Sequence, residues 1–241
     1  MSKAQRSILV FVVGGLLGCA AGGGSSTRAD VRRPTASDLE RLTGDPAKLV
    51  DRLLSVIEEE IVPLTREGVR TGSKIFGGAV LAKSDLSTVL AATNDESANP
   101  LNHGEVHLIN TFYAIPRTRR PAARDCIFLA THEPCPLCLS AITWAGFDNF
   151  FYLFSYEDTK DAFNIPHDLK ILDEVFRCPD GGYSPKNHYW SSWGMRDLID
   201  GLEPEARTAA LARVRKLRAT YDRMSAIYQK SKHEGAEIPL D

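Results

Sequence analysis

The chain has 241 residues, of which 43% are hydrophobic and 25% are charged, and this length and composition favour one domain with one sizeable core. A formal net charge of -2 gives no global attraction to nucleic acid, so contact with a polyanion would have to be local. No apolar run after the N-terminus is long enough for a transmembrane helix.

The first residues have the features of an export signal. Two basic residues precede an apolar run over 8–17 that is too short to span a bilayer. The run ends in Leu16-Leu17-Gly18-Cys19, which resembles the lipobox of bacterial lipoproteins. That resemblance implies a signal peptide over 1–19, acylation of the Cys19 thiol and, with Ala20 next, attachment to the periplasmic side of the outer membrane. An ordinary secretory signal and an uncleaved anchor are the alternatives.

The segment after the signal predicts a flexible tether over 20–44, because it is rich in Gly and Ser and has no apolar periodicity. Asp45 and Pro46 then form a typical helix start, a capping residue before Pro at the first helical position. The helix has one apolar face, and Pro63 lies near its predicted end. The residues of that face are Val50, Leu53, Leu54, Ile57 and Ile61.

Short apolar runs and helical patterns alternate over the rest of the chain, and 94–102 is a polar loop. Such alternation predicts an α/β layered domain with helices on both faces of one sheet. We place this domain at 45–176 and a helical extension at 177–241. The predicted strands are 74–81, 88–92, 126–131 and 150–154, and the predicted helices are 103–112, 134–146 and a long amphipathic helix near the end.

Two short motifs supply the donors of a catalytic zinc site. Cys135 and Cys138 are a two-ligand clamp where a strand leads into a helix, and His103 is a third ligand at the start of another helix. Three protein ligands leave one position for a water that zinc makes acidic. Glu105 lies two residues after His103 and points away from the ligand set, which suits a carboxylate that moves protons.

The combination of His-x-Glu with Pro-Cys-x-x-Cys is the signature of zinc deaminases, and over 76–164 the chain resembles the cytidine deaminase-like superfamily. The run from Glu133 to Ala145 is similar to the bacterial guanine deaminase branch, with the tRNA adenosine deaminases as neighbours. The resemblance implies a three-layer α/β fold with a mixed sheet, Zn²⁺ as cofactor, and hydrolytic release of ammonia from a nucleobase or nucleoside. Guanine is the first candidate substrate, followed by cytosine and cytidine.

The same resemblance implies two substrate-binding residues. Asn94 falls where these families place a substrate-binding Asn, and Asp158 aligns loosely with an acidic residue that guanine deaminases use on the base. A loop Asn that bonds its own backbone and a helix cap are the respective alternatives. The chain departs from the family at Gly104, where Ala is usual and Gly should be tolerated, and at Asn99, where Asp is usual. The tail after Phe163 matches nothing in the family pattern.

Other functions remain open from the sequence. Cys135-x-x-Cys138 in an exported protein is also typical of redox proteins, although His103 and Glu105 would then have no role. A non-catalytic zinc protein and a deaminase of RNA or DNA are further alternatives. The expected partners are a small-molecule substrate and the membrane. Nucleic acid is disfavoured, and a homodimer is compatible with the sequence. A disulfide between Cys126 and Cys178 is chemically allowed by export.

Overall fold

The computed structural model describes residues 33–232, which form a five-stranded mixed sheet between helical layers. The strands are β1 (Gly77–Ala82), β2 (Thr88–Thr93), β3 (Cys126–His132), β4 (Asn149–Phe154) and β5 (Ser191–Gly194). Their order across the sheet is β2-β1-β3-β4-β5. β1 is antiparallel to β2 and β3, whereas β4 is parallel to β3 and β5. The predicted fold class, a mixed sheet with helices and a C-terminal helical segment, is confirmed.

The helices pack on both faces of this sheet. They are α1 (Ala36–Thr43), α2 (Pro46–Val56), α3 (Val62–Arg70), α4 (Gly104–Ala114), α5 (Pro136–Trp144), α6 (His167–Glu174), α7 (Met195–Asp200) and α8 (Pro204–Lys232). All seven residues of β3 are buried, because this central strand is covered on both sides. Ile127 and Leu129 join a core with α2 and α8, and Phe128 joins the core beneath α4 and α5.

The predicted first helix does not end near Pro63. A π-helical turn, Ile57–Ile61, connects α2 to α3, and the helical path continues to Arg70. Pro63 lies in the first turn of α3, a position at which a helix tolerates the missing backbone N–H of proline. The π turn directly before it takes up the irregularity, as such bulges do inside long helices.

The flexible tether that the sequence predicts over 20–44 does not extend to residue 44. Residues 36–43 form α1, which begins with a capping box between Thr35 and Asp38. Lys186 Nζ donates to Asp38 Oδ2 at 2.6 Å, and Leu39 is buried. The start of this predicted segment, up to residue 32, lies outside the described residues.

The segment after residue 176 completes the domain. β5 extends the sheet in parallel with β4, although its sequence, Ser-Ser-Trp-Gly, has no recognisable strand pattern. α8 buries an apolar stripe in the core on the α2 side, and Arg213 binds both Asp51 and Glu58 at 2.6 and 2.7 Å. The boundary predicted between 176 and 177 therefore cuts through one sheet and one core. Cys126 and Cys178 are both free thiols.

Candidate metal centre and the cavity around it

Three side chains with metal-binding atoms meet where β3 runs into α5. Cys135 is the N-cap residue of α5 and Cys138 lies in its first turn, while His103 is the N-cap residue of α4. The free backbone N–H groups of a helix start favour negative charge nearby, which suits two thiolates. The donor atoms of these three residues all lie within 4.8 Å of one another.

The spacing of the donors fits a tetrahedral zinc ion. The two sulfur atoms are 3.5 Å apart, and His103 Nδ1 lies 3.4 Å from Cys135 Sγ and 3.8 Å from Cys138 Sγ. Zinc–ligand bonds of about 2.3 Å to sulfur and about 2.0–2.1 Å to nitrogen require edges of roughly 3.8 and 3.6 Å in a tetrahedron. The observed edges agree with these to within a few tenths of an ångström, and among residues 33–232 no fourth protein donor belongs to this group.

Cys135 and His103 shift each other's pKa. The contacts with Cys138 and His103 hold the pKa of Cys135 well below its usual range, although burial opposes them. Burial lowers the pKa of His103, but the adjacent Cys135 outweighs it and raises the pKa to about 9. Cys135 and His103 thus each favour the charged form of the other. A metal ligand set needs deprotonated cysteines and a neutral histidine, so metal binding at this site should depend on pH.

Glu105 lies beside the donors without joining them. It is buried in the first turn of α4, and Cys138 Sγ donates to its Oε2 at 3.2 Å. Burial, and after it the negative charge of Cys135, raise the pKa of Glu105 to about 7. A carboxyl that gains and loses a proton near neutral pH is suited to general acid–base chemistry.

The three donors and Glu105 form part of the wall of a cavity of about 550 Å³. This lies in the volume range of about 300–1,000 Å³ that is typical of sites for small molecules. Most of the wall is apolar, with Phe76, Ile165, Ile171 and Phe176 among the lining residues. Because an apolar wall lowers the local dielectric constant, hydrogen bonds and charges at the few polar groups beside it are stronger than in water.

The two predicted substrate-binding residues do not line this cavity. Asn94 is buried, and its side chain accepts from Gly104 N at 2.6 Å and donates to Glu96 Oε2 at 2.8 Å. Asp158 accepts from Ser155 N at 3.0 Å and pairs with Arg218 of α8. Both side chains thus hold parts of the fold together, and substrate contact by either one stays a prediction without support from the geometry.

Other polar residues that the sequence did not single out do line the cavity. Asp168, in the first turn of α6, is half-buried, and burial raises its pKa well above the usual range of a carboxyl group. Lys74 reaches the wall from the segment before β1, and its Nζ lies 2.9 Å from Glu96 Oε1. Asp168 lies in the tail after Phe163, which matches nothing in the family pattern, so no motif marked it.

The position of α4 depends on a backbone contact between two glycines. A Cβ atom added to Gly104 would lie 2.8 Å from Gly77 Cα and 2.9 Å from Phe76 C, which backbone atoms cannot avoid by a rotamer change. Glycine is therefore needed at this position, beyond the tolerance that the sequence suggests. The contact fixes where His103 and Glu105, its two neighbours in the chain, enter the site.

Known proteins are similar to this chain over the region that contains the candidate metal donors and Glu105. Residues 58–154 match the family model described as the cytidine and deoxycytidylate deaminase zinc-binding region. Guanine deaminase from Bacillus subtilis (strain 168) is 33% identical over 102 residues, which are 42% of this chain and 64% of that enzyme. The chain thus matches less than two thirds of the length of this relative.

Two solved structures are also similar. The structure of the Bacillus subtilis guanine deaminase is 30% identical, with 45% of this chain and 68% of that chain covered and a TM-score of 0.38. The structure of a guanine deaminase from Nitrosomonas europaea is 19% identical, with 70% and 84% covered and a TM-score of 0.44.

The localisation predicted from the N-terminus, export and lipid attachment at the outer membrane, is wrong. The guanine and tRNA deaminases that the chain resembles are cytosolic enzymes. Cys19 and the whole segment that led to the prediction lie outside the described residues. Within 33–232, no helix has the length and hydropathy needed for a membrane span.

Replacing Gly104 by Ala, the usual family residue, should damage the site. The added methyl group must push α4 away from β1, and we expect a loss of about 1–3 kcal/mol in the free energy of unfolding together with weaker metal binding. Urea denaturation and zinc titration measure the two effects. Gly201→Ala is the control, because its Cβ would meet nothing closer than 3.5 Å. A Gly104→Ala variant as stable and as metal-bound as this control contradicts the importance of the contact.

Proposed function

The chain belongs to the cytidine deaminase-like superfamily, and on that premise we propose that it hydrolytically removes an exocyclic amine from a nucleobase or nucleoside, releasing ammonia. Guanine is the first candidate substrate, because a guanine deaminase is among the proteins that the chain matches. Cytosine and cytidine come next. The observation that carries the proposal is the meeting of Glu105 with three metal donors at one wall of a small-molecule cavity.

His103, Cys135 and Cys138 would hold the metal that the family implies. A zinc ion there would supply Lewis acidity, which lowers the pKa of a bound water to about 7. The chain itself supplies the proton transfers. Glu105 accepts a proton from the attacking water and passes it to the ring nitrogen of the substrate. It then takes the second proton from the hydroxyl group added to the ring carbon and delivers it to the amine, so that the carbonyl forms and ammonia leaves. Its burial next to the cavity keeps these transfers away from bulk water.

The charges of the wall favour an unphosphorylated substrate. Lys74 is the one Lys or Arg among the described lining residues, and it is already paired with Glu96. Glu105, Glu133 and Asp168 add carboxyl groups to the same wall. A phosphate in this cavity would be desolvated without a cation to receive it, which costs free energy. We therefore place bases and nucleosides ahead of nucleotides and nucleic acid.

Asp168 is our candidate for contact with the ring. A carboxylate can accept hydrogen bonds from both the ring N–H and the amine N–H on one edge of guanine. Asp168 lines the cavity together with the metal donors, on a different element. Asp158, the residue that the sequence suggested, stays a prediction and is not among the lining residues.

Zinc analysis tests the metal proposal. The purified protein should contain about one zinc per chain, and Cys138→Ser should lose most of it because a thiolate ligand is gone. Cys126→Ser is the matched control, a buried cysteine outside the donor group. Full retention of zinc in Cys138→Ser would overturn the assignment. A metal-free protein with a reversible Cys135–Cys138 disulfide would favour the redox alternative.

Replacing Glu105 by Gln tests the proton transfers. The change keeps the shape of the side chain and leaves the metal donors in place, but it removes the group that carries protons. We expect turnover to fall by at least about three orders of magnitude, with zinc content and melting temperature nearly unchanged. Ammonia release measures the turnover. Activity within about tenfold of the unaltered protein excludes Glu105 as the proton carrier, and loss of zinc would make it a ligand instead.

A substrate panel tests the charge argument. Guanine and guanosine should be deaminated faster than GMP or an oligonucleotide. Asp168→Asn should lower kcat/KM for the best base by about 10–100-fold, as expected when a hydrogen bond to the substrate is lost in a buried site. Its zinc content should not change. Faster turnover of GMP or of an oligonucleotide than of any base or nucleoside would contradict the proposed substrate class.

A further inference from the structure

A buried carboxylate lies behind the metal donors and has no part in the chemistry described above. Glu96, in the loop between β2 and α4, is only 3% exposed. Its oxygens accept from the backbone N and the Nζ of Lys74, both at 2.9 Å, and from Asn94 Nδ2 at 2.8 Å. Burying a carboxylate is costly even when it is well paired, and a salt bridge of this kind is weak evidence for stability alone. The placement of Glu96 therefore calls for another explanation.

The two ring nitrogens of His103 face different partners. Nδ1 faces the sulfur atoms of Cys135 and Cys138, at 3.4 and 3.8 Å. Nε2 lies on the other side of the ring, 4.0 Å from Glu96 Oε1. A neutral imidazole that offers Nδ1 to a metal must carry its proton on Nε2. The ring is thus oriented with its metal-binding nitrogen toward the donors and its N–H side toward a fixed negative charge.

We propose that Glu96 is a positioning residue for the metal site, which sets the orientation and the tautomer of the ligand His103. Lys74, from the segment before β1, and Asn94, from the loop after β2, hold Glu96 in place. Asn94 accepts from Gly104 N at 2.6 Å while it donates to Glu96, so one amide fixes both the backbone after His103 and the carboxylate facing its ring. Carboxylates behind ligating histidines commonly strengthen metal binding in this way.

This inference rests on the metal-binding role of His103 proposed above. It is specific to Glu96, since nothing in the His-x-Glu or Cys-x-x-Cys motifs requires an acidic residue seven positions before the histidine. It also gives the Lys74–Glu96 pair a role that a purely structural ion pair would not have: removing the carboxylate should change the metal site, whether or not it changes stability.

Zinc affinity of the purified protein is the test. Glu96→Gln keeps the size of the side chain and removes its charge, and we expect zinc to bind about 10–100-fold more weakly in competition with a chromogenic chelator. The visible absorption bands of the Co²⁺-loaded protein should also shift, because the geometry of the ligand histidine changes. Glu60→Gln is the matched control. It breaks the half-buried Arg52–Glu60 pair, 3.2 Å long, and neither residue lines the cavity.

A second variant guards against misfolding, since Glu96→Gln leaves the Lys74 charge buried without its partner. Lys74→Met/Glu96→Gln removes both charges and should weaken zinc binding to the same degree. Zinc affinity within about twofold of the unaltered protein in either folded variant, or an unchanged Co²⁺ spectrum, overturns the role of Glu96 and leaves the proposed function standing. If the unaltered protein binds no zinc, the proposed function and this inference fall together.

Discussion

The close approach of α4 to β1 is the constraint on which the site depends. Gly104 meets Gly77 backbone to backbone, at a distance that leaves no room for a side chain. The contact brings the start of a helix against the sheet, so that the residues on either side of Gly104, a metal donor and a carboxylate, enter the cavity together. Asn94 fixes the same turn by accepting from Gly104 N. Backbone contacts thus position the residues of the candidate metal site.

Charge is the second constraint. Two cysteines and several carboxyl groups surround one cavity, and only Lys74 among the described lining residues balances them with a permanent positive charge. The contacts of Cys135 with Cys138 and His103 lower the pKa of its thiol, and Cys135 raises the pKa of His103. A divalent cation held by His103, Cys135 and Cys138 would add positive charge at the same place.

The sequence predicts those site residues that are close together in the chain, and it does not predict those that packing brings in from elsewhere. Cys135 and Cys138 share one helix turn, and His103 and Glu105 share another, so local spacing was enough to find them. Glu96 and Asp168 reach the site through a loop and a helix whose positions depend on long-range packing. No local pattern records such positions.

The helices and strands differ in the same way in how well the sequence predicts them. Strongly apolar runs such as β3 and β4 were found, and the apolar stripe of α8 was recognised as a helix. β5 was missed because four residues with two serines and a glycine gain their order only by pairing with β4. α1 was assigned to a tether, although the Thr35–Asp38 capping box was a readable signal for its start.

The division between matched and unmatched sequence also runs through the cavity. The metal donors and Glu105 lie within 58–154, the part that matches the deaminase family model. Another part of the wall comes from α6, beyond that region, which contributes His167, Asp168 and Ile171. α6 lies between β4 and β5, on a segment tied down by the pairing of Asp158 with Arg218 of α8. The chemistry of the site thus comes from the part of the chain shared with known deaminases. The cavity is lined by residues from both parts, with Ile165, His167, Asp168, Ile171 and Phe176 from beyond residue 154, so a relative's substrate cannot be transferred to this chain without a direct assay.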